Sequence, residues 1–290
     1  LMLDPATTTT PSAPPAELRY RRPMQLRAFL AEAWRARALT LALTERELRV
    51  RYKQALLGAA WAFVGPLGYV VVFTVFFDRT ANIETFGQPY PIFSYAALIP
   101  WAFLSQALGR ASIALIDNLV LINKIACPRE IFVFASIGTA LVDMAVSALA
   151  FPLVVLILGG SFYGATVYLI PILVLQTVFG AAFALLVGAL LIYVRDLKHV
   201  LPLATQLLMF ATPVVWGQAA LNARLSRPLE AVYALANPMA SICESYRRIL
   251  VFGHQPDWPL VGCSTVSTLL LFMVGYWTFK RLEPGFADVA

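Results

Sequence analysis

The sequence predicts an all-α integral membrane protein with six transmembrane helices. An N-terminal interfacial amphipathic helix precedes them, and short re-entrant or surface helices fill the last outer link. Three observations carry that prediction. Of 290 residues, 60% are hydrophobic and 13% charged, with a mean hydropathy of +0.73; soluble domains average about 45–50% apolar and about 25% charged residues. The apolar residues gather in six runs, 57–77, 93–116, 131–158, 166–194, 200–219 and 259–279, each near the ~20 residues that cross a bilayer. Lys and Arg divide unevenly: the segments expected inside hold sixteen of the 22, the outer ones five, and Arg110 lies within a span. That bias places both termini in the cytoplasm. The +6 net charge therefore reads as topology and lipid contact, not nucleic-acid binding.

Taken in order, residues 1–18 (with TTTTPSAPPAE) have the composition of a disordered tail. Residues 19–56 read as a cytoplasmic or interfacial segment. Within it Leu26, Phe29, Leu30, Ala33 and Trp34 recur at helical spacing, which suits a helix in the inner interface or a soluble cytoplasmic helix. Residues 57–290 form the membrane domain. Its first span contains Gly58, Gly65, Pro66 and Gly68, which favour a bend or a close neighbour. Short links follow: 78–91 outside, DNLVLINKIACPRE inside, Gly159-Gly160-Ser161 outside and YVRDLKHVLP inside. The link over 220–258 is about 39 residues long, and a link that long usually carries function. Residues 229–251 within it read as two short helices broken at Asn237-Pro238. They suit either a re-entrant pair or a hairpin on the outer surface.

Several chemistries are missing. The sequence contains no Gly-Lys dipeptide, so it holds no G-x-x-x-x-G-K-[ST] phosphate cradle. There is no H-E-x-x-H, no G-x-S-x-G and no metal-spaced Cys/His cluster. No catalytic residue and no metal ligand is assigned. Cys127, Cys243 and Cys263 form no disulfide framework, although a Cys243–Cys263 bridge near the outer surface is one option. His199 and His254 fall on opposite sides of the membrane in this topology.

Two charges fall at membrane depth, Arg110 in the second span and Asp143 in the third. Each costs about 2.5–3.5 kcal/mol if unpaired at the bilayer centre. Antiparallel neighbours bring them to similar depth, so the expectation is a structural pair or shared polar network. The rival reading sets one of them on a permeation path.

The order of the pieces resembles the permease subunit of bacterial ABC exporters for lipid-linked polysaccharides, the family of O-antigen, capsule and teichoic-acid exporters. Six stretches between Glu45 and Val289 carry the resemblance: RELRVRYKQALLGAAWAFVGPL, LIPWAFLSQALGRAS, NLVLINKIACPRE, YVRDLKHVLP, ALANPMASICESYRRIL and FADV. Each is weak alone; their joint order is specific. The resemblance implies a homodimer in the bacterial inner membrane, with two copies of a cytoplasmic ATPase that hold the ATP and Mg. No cofactor belongs to this chain. By position it assigns ATPase coupling to Asn123, Lys124, Pro128 and Arg129 in the first inner link, and to Arg195, Asp196 and Lys198 in the second. Read without the family, these are ordinary positive-inside charges. Trp61, Tyr69, Phe73, Trp101, Phe210 and Trp216 are candidate channel aromatics for stacking on sugars, where the plain reading is packing or interfacial anchoring. Asn237, Pro238 and Glu244 fall at the outer exit. The implied cargo is an undecaprenyl-linked glycan; a drug or small lipid moved by the same fold is the alternative. An enzyme acting on lipid-linked sugars is disfavoured, because its outer carboxylates (Asp78, Glu84, Glu230, Glu244, Asp257) are scattered.

Overall fold

The computed structural model describes residues 26–53, 61–78, 85–122, 127–161, 163–218 and 225–286. The tail expected over 1–18, the coupling candidates Asn123 and Lys124, and the Trp61 side chain lie outside the described residues. Every regular element among the described residues is helical: α1 (Leu26–Arg35), α2 (Arg37–Tyr52), α3 (Trp61–Phe73), α4 (Tyr90–Gln106), α5 (Ala114–Asp117), α6 (Leu119–Ile122), α7 (Glu130–Ala148), α8 (Ala150–Ile157), α9 (Leu169–Tyr193), α10 (Leu197–Ala211), α11 (Arg227–Ala236), α12 (Pro238–Leu250) and α13 (Trp258–Leu282).

Among the described residues, four helical stretches are long and apolar enough to cross a bilayer: Tyr90–Ala111, Glu130–Ile157, Gly164–Tyr193 and Trp258–Gly285. The first and fifth expected spans are shorter apolar helices, Phe63–Phe76 and Leu197–Ala211. The fifth is a correction in its bounds, since its helix stops at Ala211 and not near 219. Thr212 precedes Pro213, and the proline ring pushes the preceding residue to extended backbone (φ −102, ψ 143). The 15 residues of α10 cover about 22 Å, less than the ~30 Å of bilayer hydrocarbon. The second span also ends early: α4 loosens into a π-helical turn, Ala107–Ala111, before breaking into α5 and α6. Pro152 explains the break at Leu149 between α7 and α8, because it cannot donate to the carbonyl four residues back.

α4 is the central helix, with every residue from Ile92 to Trp101 buried. α7, α9 and α12 surround it. α9 and α13 form the most extensive helix pair, and small residues let them touch. A Cβ at Gly275 would stand 2.5 Å from the Ala182 carbonyl oxygen. Large apolar side chains remain exposed on α8, α9 and α13, among them Leu153, Leu156, Ile170, Val174, Leu270, Met273 and Val274. A continuous apolar exterior of this kind marks a lipid-facing surface. α10 is sparsely packed, and α3 packs on α4 and α7 with one face left open. Val71 and Val72, then Val75 and Phe76 on the π-helical turn after α3, and Leu203, Leu207 and Phe210 are exposed.

Candidate functional site: charged clusters in the helical bundle

The first cluster joins α2 to α7. Thr44, Glu47 and Arg51 follow i, i+3, i+7 spacing on α2, and Ser136, Thr139 and Asp143 repeat that spacing on α7. The two polar stripes face each other with both helices running the same way. Thr44 Oγ1 donates to the Ala135 carbonyl (3.1 Å), Ser136 donates to the Glu47 carboxylate (3.0 Å), and so does Thr139 (3.1 Å). At the top, Arg51 Nη1 donates to Asp143 and to Gln106 Oε1 (3.1 Å), while the Tyr52 hydroxyl donates to the other Asp143 oxygen. Asp143 is only 1% exposed.

The expected pairing of Arg110 with Asp143 is thus corrected, since the ion-pair partner of Asp143 is Arg51. Arg110 sits on the π-helical turn of α4 and is exposed, with Arg51, Asp143, Glu47 and Tyr52 in its electrostatic surroundings. It shares the network without an ion pair to Asp143 among the described residues. Its reach is limited because the turn aims it outward, whereas α2 lies directly on α7.

The second cluster closes the inner ends of the helices. Lys280 Nζ donates to both Glu130 oxygens (2.9 Å) and to Glu283 (3.0 Å). Glu130 is completely buried, so this cation balances a charge that water cannot reach. Arg129 donates to the Glu283 carbonyl, and its guanidinium lies 5.7 Å from the Phe286 ring. Pro128 and Cys127 are half-buried beside it. Burial and the Glu130 carboxylate push the Cys127 thiol up, away from thiolate. Arg195, Asp196 and Lys198 are exposed. The structure brings Arg129 to the end of α13 and leaves the second-link charges on the surface.

The third cluster lies at the outer end. α11 and α12 meet at Asn237, with Pro238 at the start of α12, where its missing N–H is no loss. Arg247 is completely buried. Its Nε donates to the Phe93 carbonyl (3.2 Å), Nη2 to the Val214 carbonyl (2.6 Å) and Nη1 to Glu244 (3.1 Å), with the guanidinium 4.2 Å over the Phe93 ring. One side chain thus fixes α12, the start of α4 and the turn after Pro213. Asn237 Nδ2 donates to Thr212 Oγ1 (2.9 Å) and the Tyr233 hydroxyl to the Ala211 carbonyl (2.6 Å), on the same turn. Further out, the Arg227–Asp257 hydrogen bond (3.0 Å) raises the already high guanidinium pKa of Arg227. All three cysteines are free thiols; Cys243 is buried against the Ala97 carbonyl.

Of the candidate channel aromatics, Trp101 and Phe73 are buried in the packing at 5% exposure each. Tyr69 and Phe210 are about half exposed (47% and 49%). Trp216 is half-buried and donates to the Phe210 carbonyl (3.0 Å).

Long apolar helices, an apolar exterior and buried charges held in ion pairs and hydrogen bonds define a multi-pass membrane protein. The chain belongs to the ABC-2 type transporter family, whose membrane domain it matches over residues 38–251. It is 32% identical over 270 residues to the O-antigen export system permease protein RfbA of Myxococcus xanthus, covering 90% of this chain and 98% of that one. An O-antigen export system permease protein RfbA of Klebsiella pneumoniae is 23% identical, covering 87% of this chain and 94% of that one. The polysialic acid transport protein KpsM of Escherichia coli is 21% identical, covering 84% and 93%.

Proposed function

We propose that this protein is the permease subunit of an ABC exporter that carries O-antigen-type polysaccharide across the bacterial inner membrane. The observation that carries this reading is the 32% identity to an O-antigen export permease over nearly the full length of both chains. Six spans, counting α3 and α10 with the four longer helices, put both termini in the cytoplasm. The sparsely packed faces of α3 and α10 suit a seam with a second copy of the chain. ATP and Mg belong to two copies of a separate ATPase docked beneath. The cargo is a glycan on an undecaprenyl-type lipid.

In this reading the ATPase pushes on the two inner links through Pro128, Arg129, Arg195, Asp196 and Lys198, together with Asn123 and Lys124. α11 and α12 dip back from the outer surface, so that Asn237, Pro238 and Glu244 border the exit. Tyr69, Phe210 and Trp216 offer ring faces along the seam. The clusters around Asp143 and Arg247 hold the moving helices in register and take no part in chemistry.

The test is reconstitution with the partner ATPase. Lipid-linked glycan is expected to stimulate ATP hydrolysis, while drugs and short lipids do not; the reverse pattern would install the small-molecule reading. Arg129→Glu with Arg195→Glu is expected to leave hydrolysis running and stop export. Unchanged coupling in that double variant would remove the links from the mechanism.

A further inference from the structure

The FADV ending has no role in the mechanism above, yet Phe286 is completely buried. It stands at the meeting point of both inner links. Its ring lies 5.5 Å from Phe279 edge to face, 6.4 Å from the Tyr193 ring, and 5.7 Å from the Arg129 guanidinium. Tyr193 closes α9, two residues before Arg195 in the second link. Arg129 ends the first link.

The hydrogen bonds follow the same plan. A helix leaves its last four carbonyls without intrahelical partners. At the end of α13, the Leu282 carbonyl accepts from the Tyr193 hydroxyl (3.0 Å) and the Glu283 carbonyl accepts from Arg129. Beside the local Phe286 N–H bond to the Glu283 carbonyl, the end of α13 is therefore held by one side chain beside each link. Lys280 adds the ion pairs to Glu130 and Glu283 described above. Gly285 sits under the Tyr193 hydroxyl, and a Cβ there would displace that hydroxyl from the Leu282 carbonyl.

We propose that the turn 283–286 is a rigid bridge between the two inner links, with Phe286 as its positioning residue, so that both links move as one body when the ATPase closes. This rests on the reading of those links as ATPase contacts. Independent loops have no need of a shared buried ring. A stroke delivered at two points does, because unequal displacement would tilt α7 against α9.

The experiment uses the complete permease–ATPase complex. Phe286→Ala and Gly285→Val are expected to co-purify with the ATPase and hydrolyse ATP, while glycan exported per ATP falls about tenfold, within the 5–150-fold range of coupling between sites. Phe286→Met, which refills the volume, is expected to recover most of that loss. Spin labels on Cys127 and at His199→Cys, with Cys263→Ser and excess unlabelled protomer, read the separation of the links directly. The separation is expected to stay constant on nucleotide trapping when Phe286 is present and to change in Phe286→Ala. A separation that changes equally with Phe286 present overturns the proposal, as does unaltered export per ATP in Phe286→Ala. If the Ala and Val variants fail to assemble, the labelled chain with Phe286 decides alone. Should Arg129→Glu/Arg195→Glu uncouple the complex while the labels separate freely, only the bridge fails; if that double variant stays coupled, the reading beneath it fails too.

Discussion

The Asp143 cluster and the Arg247 cluster each withdraw an arginine from solvent, and they satisfy it in different ways. Arg51 meets a buried carboxylate, a glutamine and a neighbouring tyrosine, with the charge balanced locally. Arg247 meets two backbone carbonyls, a ring face and the partly exposed Glu244. The first joins two regular helices by matched side chains. The second ties the Phe93 carbonyl of α4 to the Val214 carbonyl of the irregular turn that follows Pro213. Matched side chains can be replaced in pairs. Backbone carbonyls cannot be removed by substitution, so the outer site depends on one residue.

That contrast makes Arg247→Leu the most damaging single change. It strips the Phe93 and Val214 carbonyls and leaves Glu244 bare, at about 3–5 kcal/mol. The thermal unfolding midpoint of the detergent-purified protein is expected to drop accordingly, and Arg247→Lys to recover little, because one ammonium cannot span three acceptors. Asp143→Asn comes next, at about 2.5–3.5 kcal/mol for the unpaired Arg51. Adding Arg51→Gln is expected to restore part of that stability, whereas no second change rescues Arg247→Leu. Equal rescue at both sites would erase the distinction. Full stability with abolished export in Asp143→Asn would instead move Asp143 onto the transport path. Gly275→Ala, at the crossing of α9 and α13, is expected to cost about 1–3 kcal/mol by overpacking. Combining Arg247→Leu with Asp143→Asn tests independence: their effects on the midpoint should add to within about 0.5 kcal/mol. Arg227→Gln marks the lower bound: the guanidinium is itself exposed although Glu230 is buried, and Gln keeps a donor for the carboxylates, so the midpoint should fall less than in any variant above.

The helices were legible in the sequence because hydropathy reports them directly. Glu130–Ile157 falls within one residue of the expected 131–158 at each end, while Trp258–Gly285 starts one residue before the expected 259–279 and runs six residues past it. The broken pair at Asn237-Pro238 was legible from the proline. The fifth span was overextended because Val214, Val215 and Trp216 prolong the apolar run past Pro213, and hydropathy does not register a backbone that has left the helix. Arg51 was missed as the partner of Asp143 because charges before a span look like interfacial anchors. A signal was nonetheless present: Thr44/Glu47/Arg51 and Ser136/Thr139/Asp143 share one spacing, and two such stripes imply a polar seam. In the sequence Arg247 is one of the five Lys/Arg of the outer segments. Nothing in SYRRIL separates the buried Arg247 from the half-buried Arg248 beside it, since the carbonyls Arg247 serves belong to distant residues.

The α2–α7 seam also constrains how the chain is made. Thr44 and Ala135 are 91 residues apart, and at about 5–20 residues per second of synthesis the ribosome needs roughly 5–20 s to cover that interval. Throughout it, Glu47 and Arg51 have no partner helix and must wait in water at the membrane surface. The N-terminal segment therefore docks only after the third span has been inserted, and a slowed ribosome between the two stripes would prolong the stage most exposed to quality-control proteases.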